Sequence, residues 1–369
     1  MSLKNDVNKY KPRKEQREAL NFIDQEYKNN KDNKFYLMNL PVGVGKSHLA
    51  LMIADWYKKN VSRFARIDII TNSKILQDQY ADTYSSINDL KGKENYECEA
   101  YACSCAQGME FNRLNKTTCE SCPYSAAREG YMNGSVSLTN FYLYILYAIY
   151  NQKVMEARNA KVLIVDECHE FDDIMSNFIS IKVTETMIKK FKLSNEYEMM
   201  KSLKKVSTIA SYVEFLRLLN GELLETVEQM EKGMSSKDRS AVTDKRDMRI
   251  NKVVGGKNTD ARMMNLVTDI KQLQLKIEVF LKEYKDNPNN WVIETNYNEK
   301  TRQKELSLEP IWASDYLDKY VFSQYDMVFL MSGTILDKNL FCTLNGLDVT
   351  KASYYSISSP FPAKNRPIY

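Results

Sequence analysis

Two short segments carry the residue types that bind and split a nucleoside triphosphate. The first, residues 40–47, reads Leu-Pro-Val-Gly-Val-Gly-Lys-Ser and lies between an apolar run and a helical one. Glycine permits the positive φ angles at which backbone N–H groups curl around phosphates, and the N-terminus of a following helix attracts anions. Lys46 would reach the β- and γ-phosphates, and the Ser47 hydroxyl would bind Mg²⁺. The predicted nucleotide contacts are Gly43, Val44, Gly45, Lys46 and Ser47.

The second segment, residues 162–169, is an apolar run that ends in the adjacent carboxylates Asp166 and Glu167. Buried charge must be paired or coordinated, so we expect Asp166 to hold Mg²⁺ and Glu167 to orient the attacking water. His169, which comes next but one, is a candidate for coupling this site to the rest of the protein. The chain has one other histidine, His48, which we expect to serve helix packing.

Each segment also has a simpler interpretation. The loop opens with Leu40 where the usual phosphate-binding pattern has glycine, so by itself it could be an ordinary strand–turn–helix connection. The paired carboxylates could likewise lie in a surface turn after a core strand. Because both segments occur in one chain and in this order, the sequence favours hydrolysis of a nucleoside triphosphate.

The same residues resemble a known family. Asp-Glu-Cys-His at residues 166–169 resembles the DEAH-type box of superfamily 2 helicases. Residues 40–47 are similar to the loop of the XPD/DinG branch, in which a non-glycine opening residue is normal. Further resemblances follow in the expected order along the chain. Arg13 and Gln16 resemble the adenine-side motif of the family. Thr71, Asn72, Ser73, Leu76 and Gln79 resemble the motif that contacts DNA, and Ser332, Gly333 and Thr334 resemble the motif that couples hydrolysis to DNA. Ser359–Pro362 with Asn365 and Arg366 resemble the segment that leads into a second motor lobe.

Five of the seven cysteines lie within residues 98–122. A secretory signal is absent, so a disulfide framework is a poor expectation and clustered thiols indicate a metal site. Cys119 and Cys122 have the spacing that lets both sulfurs reach one metal centre, and Pro123 follows as in many iron–sulfur proteins. Spacing alone fits either zinc or an iron–sulfur cluster, since both take four thiolates.

The family resemblance favours iron and sulfur. Residues 91–98, Lys-Gly-Lys-Glu-Asn-Tyr-Glu-Cys, resemble the segment that leads into the [4Fe–4S] domain of XPD/DinG helicases. Residues 122–124 resemble the end of that domain, and residues 139–141 the motif after it. The resemblance implies a [4Fe–4S] cluster, with Zn²⁺ as the alternative. The implied ligands are Cys98, Cys105, Cys119 and Cys122, with Cys103 as the alternative to Cys105.

Composition sets broad limits on the chain. It has 369 residues, 43% of them hydrophobic, which is enough for two or three domains with real cores. A net charge of +4 does not by itself indicate nucleic-acid binding. The apolar stretch at residues 141–150 is too short to cross a bilayer, and the N-terminus shows no secretory pattern. We therefore expect a cytoplasmic protein without a membrane partner, or one of the host cytoplasm if the gene belongs to a phage.

Strands and helices alternate up to about Asp173, which predicts an α/β fold with a parallel sheet. Helical apolar stripes then replace this pattern, and a strand returns near Met327. The family resemblance implies a RecA-like P-loop motor lobe interrupted by a small iron–sulfur domain and a helical arch domain. The expected boundaries are 1–95, 131–173 and 311–369 for the lobe, 96–130 for the iron–sulfur domain, and 174–310 for the arch.

A polar stretch, residues 233–260, separates the two helical stripes and carries seven basic residues among four aspartates. It could contact the phosphate backbone of DNA, with Arg246 and Arg249 among the contacts. The alternative is a solvated, flexible loop with interspersed acidic residues, and the sequence favours this alternative slightly.

The resemblance implies an ATP-dependent helicase that travels 5′→3′ on single-stranded DNA and unwinds forked DNA, as in replication or repair. The sequence stops where a second RecA-like lobe is expected, so it resembles an N-terminal portion that is completed by the rest of the gene or by another chain. A split gene of this kind is consistent with a phage source. The alternative from another class is a non-catalytic module that binds ATP and single-stranded DNA and needs a partner chain.

Overall fold

The computed structural model describes residues 2–101, 103–115, 118–233, 259–298 and 303–358. The strands are β1 (Phe35–Asn39), β2 (Ile67–Thr71), β3 (Asn88–Asp89), β4 (Val136–Asn140), β5 (Val162–Asp166), β6 (Ile181–Thr184), β7 (Trp291–Asn298), β8 (Gln303–Pro310), β9 (Met327–Ser332) and β10 (Ala352–Ser356). The helices are α1 (Leu3–Val7), α2 (Lys14–Asn29), α3 (Lys46–Asn60), α4 (Lys74–Thr83), α5 (Cys105–Asn115), α6 (Pro123–Asn133), α7 (Phe141–Tyr150), α8 (Gln152–Arg158), α9 (Phe171–Ile179), α10 (Glu185–Phe191), α11 (Glu196–Lys205), α12 (Ile209–Gly233), α13 (Thr259–Asp286), α14 (Ser314–Tyr320) and α15 (Lys338–Asn345).

The chain divides into two compact units. The first comprises Met1–Lys91, Ala127–Phe178 and Trp312–Tyr369, and the second comprises Gly92–Ala126 and Ile179–Ile311. Both units are therefore assembled from segments that are distant in the sequence.

A seven-stranded parallel sheet forms the centre of the first unit, in the order β10-β1-β9-β5-β2-β4-β3. This confirms the predicted α/β fold and is consistent with a RecA-like lobe. Every residue of β2, β5 and β9 is buried. Helices cover both faces of such a sheet, which explains the apolar run Val162–Val165 of β5, although the buried strand β2 also carries Asp68 and Thr71.

The strand order brings three sequence motifs to one edge of the sheet. Strand β9 lies between β1 and β5, and its register pairs Ser332 with Asn39 and Met331 with Asp166. On the other side of β5, Asp166 pairs with Thr71 of β2. Because all these strands are parallel, their carboxyl ends meet at the same edge, where open α/β sheets bind ligands.

Two long helices, α12 and α13, pack against each other in the second unit. Their apolar stripes face the contact, as the helical spacing predicts, and α13 ends at Asp286, just before the Asn287–Pro288 stop signal. The buried members of the two stripes are Tyr212, Val213, Leu216, Leu219, Leu223, Val267, Ile270, Leu273, Ile277 and Phe280.

The second unit also contains an antiparallel sheet that the sequence analysis did not predict, in the order β6-β8-β7. Strands β7 and β8 are mostly polar, which hides them from a search for apolar runs. Alternation of residue type is nevertheless present in β8, because the fully buried Leu306 and Leu308 flank the polar Ser307. The region expected to be a helical arch is therefore helical with a three-stranded sheet.

The cysteine-rich segment of the second unit begins with a tight hairpin. The Cys98 amide donates to the Cys103 carbonyl over 2.9 Å, and the Cys105 amide donates to the Tyr96 carbonyl over 2.8 Å. Helix α5 starts directly after this hairpin, at Cys105. Three cysteines thus lie on a short, hydrogen-bonded piece of backbone.

An ionic ring of four side chains joins α5 to α12 and α13. Arg113 contacts Glu110 at 2.6 Å and Glu231 at 2.5 Å, while Lys271 contacts the same two carboxylates at 3.2 Å and 2.9 Å. The ring therefore ties the cysteine-rich segment to both long helices of its unit.

Some predicted features lie outside the described residues. These are the lobe-linking segment Ser359–Pro362 with Asn365 and Arg366, and the basic residues of the polar stretch, Arg246 and Arg249 among them. Among the described residues, no helix is long and apolar enough to cross a membrane.

Candidate functional site

The predicted phosphate-binding loop joins β1 to α3 and has the backbone conformation that its glycines allow. Gly43 and Gly45 adopt φ values of 90° and 85°, in the left-handed region. A Cβ at Gly45 would lie 2.7 Å from Gln16 Nε2, the far end of a flexible side chain that can shift. The positive φ is therefore the reason for glycine at residue 45, and Lys46 begins helix α3 directly after it.

Arg13 and Gln16, predicted from family resemblance, contact this loop. The Gln16 Nε2 donates to the Gly45 carbonyl over 2.9 Å, and the Arg13 guanidinium donates to the Gly43 carbonyl. Gln16 Oε1 also accepts from the Arg13 amide at 2.8 Å, which caps the start of α2. Arg13 and helix α2 therefore support the carbonyl side of the loop.

Lys46 and Glu167 form an ion pair. The Lys46 side chain is 9% exposed and that of Glu167 is 24% exposed, so the pair is largely removed from water. Glu167 has a φ of 60°, which is unusual for a residue with a side chain and costs on the order of 1 kcal/mol. This strained turn after β5 points the carboxylate towards the loop, as a water-orienting role requires.

Asp166 is 1% exposed and keeps one carboxylate oxygen unpartnered. Its Oδ2 accepts a hydrogen bond of 2.9 Å from the Tyr80 hydroxyl, whereas Oδ1 is buried and has no hydrogen-bond partner among the described residues. Burial raises the pKa of Asp166 to about 6, against the opposing effects of the Lys46 ammonium and the Tyr80 hydroxyl. A buried, unpartnered carboxylate oxygen next to a lysine is suited to a hard cation such as Mg²⁺.

His169 lies between the carboxylates and the end of β9. Its Nδ1 is 2.9 Å from Ser332 Oγ and 3.5 Å from Glu167 Oε2. Ser332 Oγ in turn contacts Thr334 Oγ1 at 3.0 Å and accepts from the Thr334 amide at 3.2 Å. The predicted coupling residues are thus hydrogen-bonded to the predicted catalytic ones.

The end of β9 also meets the phosphate-binding loop. The Leu40 amide donates to the Ser332 carbonyl over 2.7 Å, and a Cβ at Gly333 would lie 3.4 Å from the Leu40 carbonyl oxygen. That distance is ordinary van der Waals contact, so the hydrogen bond from Leu40 to Ser332 is what joins the two backbones here.

The residues predicted to face DNA lie at the end of β2. Asn72 Nδ2 donates to Glu170 Oε2 over 3.1 Å, and Glu170 Oε1 lies 3.7 Å from His169 Nε2. Thr71 Oγ1 donates to the Ser73 carbonyl over 3.1 Å, so it holds the turn into α4. A continuous set of polar contacts thus runs from Asn72 to Ser332.

His48 packs among aromatic rings, as expected from the sequence. Its ring stacks on Tyr84 with centroids 6.0 Å apart and meets the edge of Tyr10 at 5.6 Å. Burial lowers the pKa of His48, which keeps the ring neutral.

Tyr80 is a site residue that the sequence analysis missed. It is completely buried on α4, where it donates to Asp166 and interacts with the Ser47 side chain. The sequence analysis included its neighbour Gln79 among the residues predicted to face DNA. A tyrosine on the buried side of a helix, however, is usually interpreted as part of the hydrophobic core. Only the register of α4 against β5 shows that the hydroxyl reaches a carboxylate.

The predicted cluster ligands lie close together in the second unit. The Sγ atoms of Cys98 and Cys119 are 4.0 Å apart, and the thiols of Cys105 and Cys122 interact with each other. A Cβ at Gly108 would lie 2.5 Å from the Cys98 sulfur, so a glycine is needed beside it. Within the described ranges, however, no group of three or more His, Cys, Asp or Glu side chains is arranged to hold a metal ion.

The thiols differ in their surroundings. Burial raises the pKa of Cys103 to about 12 and that of Cys105 to about 11. Burial acts in the same direction on Cys122, but hydrogen bonds from Ser125 outweigh it and lower the pKa of that thiol. Cys103 also lies near Cys98, Cys105 and Cys119.

Comparison with known protein families identifies the first part of the chain. A family model described as type III restriction enzyme, res subunit, matches residues 9–194, which is half of the sequence. The matched span includes the loop at Gly43–Ser47 and the carboxylates after β5. A comparison with curated individual proteins gave no match. The chain therefore belongs to the type III restriction enzyme res-subunit family and carries a superfamily 2 helicase-like motor domain.

Proposed function

We propose that this chain binds and hydrolyses ATP with Mg²⁺ and uses hydrolysis to move on single-stranded DNA. The observation that carries the proposal is the convergence of Lys46, Asp166 and Glu167 at the carboxyl edge of a parallel sheet. Structural carboxylates in a protein interior are normally fully paired, but Asp166 keeps a buried oxygen unpartnered.

The nucleotide would be held by the loop at Gly43–Ser47, with Arg13 and Gln16 on its adenine side. Lys46 would exchange its ion pair with Glu167 for the β- and γ-phosphates, and this exchange would free Glu167 to orient the attacking water. Ser47 and Asp166 would hold Mg²⁺, which when bound neutralises phosphate charge.

Hydrolysis would be coupled to DNA through the polar contacts at the strand ends. Loss of the γ-phosphate would change the surroundings of Glu167, whose Oε2 lies 3.5 Å from His169 Nδ1. His169 contacts Ser332 and, through Glu170, Asn72. We propose that Thr71, Asn72, Gly333 and Thr334 transmit or make the DNA contact.

We further propose the XPD/DinG type of helicase, with 5′→3′ travel and single-stranded or forked DNA as substrate. Support comes from the ordered resemblances in the sequence and from the way segments 92–126 and 179–311 interrupt the lobe. Motors of this superfamily bind ATP between two RecA-like lobes. The second lobe would come from the rest of the gene or from another chain.

In this proposal the cysteine-rich segment holds a [4Fe–4S] cluster through Cys98, Cys105, Cys119 and Cys122, with Cys103 as the alternative to Cys105. The donor set is suitable in its chemistry, because thiolates are the usual cluster ligands, and the Sγ atoms of Cys98 and Cys119 lie 4.0 Å apart. The cluster would staple a loop-rich segment. Protein purified without oxygen should be brown and contain iron, whereas a colourless protein with stoichiometric zinc would contradict this.

The motor proposal is tested by ATP turnover of residues 1–369, purified without oxygen, with and without single-stranded DNA. The matched control is Lys46→Ala, which removes the phosphate-binding ammonium. Turnover that DNA stimulates and that Lys46→Ala abolishes supports the proposal. Equal turnover in the variant would contradict it.

A second candidate is a non-catalytic module that binds ATP and single-stranded DNA and depends on a partner chain. The observation that favours it is that the described residues contain one parallel sheet of the motor-lobe kind, the seven-stranded sheet of the first unit. Under this alternative, ATP and DNA bind but turnover stays at background until a second lobe is added.

A further inference from the structure

Tyr80 carries a buried hydroxyl at the point where Ser47 and Asp166, the two predicted magnesium ligands, come together. None of the nucleotide-binding roles proposed above uses this hydroxyl. The side chain is 0% exposed on helix α4. Its hydroxyl donates to Asp166 Oδ2 over 2.9 Å and interacts with the Ser47 side chain. Tyr80 thus joins the helix after the phosphate-binding loop to the end of β5.

The contact uses one of the two Asp166 oxygens and leaves the other open. Oδ1 is buried and has no hydrogen-bond partner among the described residues. A buried polar atom without a partner costs free energy, so a purely structural Tyr80–Asp166 contact would be expected to come with a second donor for Oδ1. The Tyr80 hydrogen bond instead holds the carboxylate through Oδ2 and leaves Oδ1 available to a ligand.

Aromatic packing holds Tyr80 in this position. Its ring centroid lies 6.3 Å from that of Tyr84, the residue that follows the last residue of α4, and Tyr84 stacks on His48. The Tyr84 hydroxyl points to His48 Nδ1 at 3.4 Å and not to Asp166. Two buried tyrosines, one on α4 and one just after it, therefore have different hydroxyl partners, which provides a natural control.

We propose that Tyr80 is a positioning residue for magnesium: its hydroxyl sets the orientation of the Asp166 carboxylate and its distance from Ser47, so that Oδ1 is presented to the metal. This inference rests on the proposed function, since it assumes that the site takes a magnesium–nucleotide complex. Tyr80 need not touch the nucleotide, because it acts through Asp166.

The test measures metal binding directly, with Mn²⁺ as the probe and ADP as the nucleotide, by electron paramagnetic resonance. Tyr80→Phe keeps the ring and removes only the hydroxyl. We expect it to weaken Mn²⁺ binding in the presence of ADP by about tenfold, the usual effect of losing a hydrogen bond to a charged group. Binding of ADP without metal, measured by calorimetry, should stay within about twofold of wild type, since Tyr80 acts on the metal ligand alone.

Tyr84→Phe is the matched control, since it removes an equally buried hydroxyl that faces His48. Its Mn²⁺ affinity should stay within about twofold of wild type. A double-mutant cycle with Asp166→Asn then tests the route of the effect. If Tyr80 acts through Asp166, Tyr80→Phe should change Mn²⁺ binding little further once the carboxylate is gone.

The outcomes separate this inference from the function on which it rests. If wild type binds Mn²⁺ with ADP and Tyr80→Phe binds it equally well, the role of Tyr80 is wrong and the proposed nucleotide site stands. An effect of equal size in Tyr84→Phe, or an undiminished effect in the Asp166→Asn background, would also overturn it. If wild type with ADP takes up no Mn²⁺, both the role of Tyr80 and the proposed function are wrong.

Discussion

The carboxylates of the two units are held in opposite ways. At the sheet edge of the first unit, Asp166 is buried with one oxygen unpartnered, and burial raises its pKa to about 6. In the ionic ring of the second unit, burial alone would raise the pKa values of Glu110 and Glu231. Hydrogen bonds and charges from Arg113 and Lys271 outweigh that effect and lower both.

Under the proposed function, the sheet edge of the first unit is a ligand-binding site, whereas the ionic ring of the second unit is a structural contact. A buried carboxylate whose ionised form is disfavoured lowers the stability of the empty protein at neutral pH, and a bound cation would recover that free energy. A ring in which each carboxylate has two cationic partners needs no ligand. We therefore expect nucleotide and metal to change the stability of the first unit through the sheet edge. We expect salt and acid to change the stability of the second unit through the ring.

The largest expected effect is on catalysis at the sheet edge. Glu167→Gln removes the group that would orient water but keeps its size, and it releases Lys46 from its ion pair. We expect ATP turnover to fall by at least about 100-fold, as for loss of a well-placed catalytic group, while ATP binding is retained or strengthened. Steady-state turnover and equilibrium ATP binding measure the two. Unchanged turnover would show that this carboxylate is not reserved for chemistry.

The second effect concerns the cysteines beside the ionic ring. Removing one true ligand should abolish the cluster, because structural Fe–S sites need all four thiolates. Of Cys105→Ser and Cys103→Ser, we expect the first to lose its iron and visible absorption and the second to keep both. The reverse result would exchange the two ligands. Retention of iron in both variants, and in Cys119→Ser, would rule out a cluster at this position.

The third effect is a pH dependence of stability at the sheet edge. A folded-state pKa of Asp166 above its ordinary value of 3.8 means that the folded protein binds the proton more tightly. Its stabilising contribution is thus complete below about pH 4 and is lost as the pH rises through about 6. Between these limits, wild type without metal or nucleotide should lose about 2–3 kcal/mol relative to Asp166→Asn. Denaturant unfolding of both proteins across this range measures it, and parallel pH curves would contradict it.

The smallest expected effect is on the stability contributed by the ionic ring. This contribution is lost as the pH falls, whereas that of Asp166 is lost as the pH rises. Lowered pKa values of Glu110 and Glu231 mean that their contribution is present above the ordinary glutamate pKa and is lost as the pH falls through the folded values. Arg113 is 46% exposed, so screening limits the loss from Arg113→Ala to about 1 kcal/mol at low salt. Lys232→Ala is the control.

Lys232 forms an i,i+4 pair with Glu228 in which both side chains are largely exposed, and its loss should be nearly neutral. Unfolding of the second unit at low and high salt distinguishes the two variants. Equal effects of Arg113→Ala and Lys232→Ala would show that the ring is no stronger than an ordinary surface pair.

The sequence was informative where chemistry and local structure coincide. The loop glycines and the apolar runs of β1, β5 and β9 all predicted elements that the structure contains. Polar strands were missed because their burial depends on partners elsewhere. In β4, Ser137 and Thr139 are buried only because their hydroxyls donate to the carbonyls of Tyr131 and Leu90.

Two features of the site depend on three-dimensional register and could not be predicted. The placement of β9 between β1 and β5 explains why Ser332 meets both Leu40 and His169, although the three are far apart in the sequence. The Tyr80 hydroxyl reaches Asp166 only because of how α4 lies on the sheet. Residue type gives the chemistry of a side chain, but its partner comes from the packing of whole elements.

The most direct test of the central claim is equilibrium binding of ATP, with Mg²⁺, to residues 1–369 and to Lys46→Ala. Binding does not require a second lobe to complete a catalytic cycle, so it examines the sheet edge by itself. The account predicts that wild type binds ATP, that Mg²⁺ strengthens the binding, and that Lys46→Ala weakens it by at least about tenfold. Equal binding by the two proteins, or no binding by wild type, would contradict the assignment of this edge as a nucleotide site.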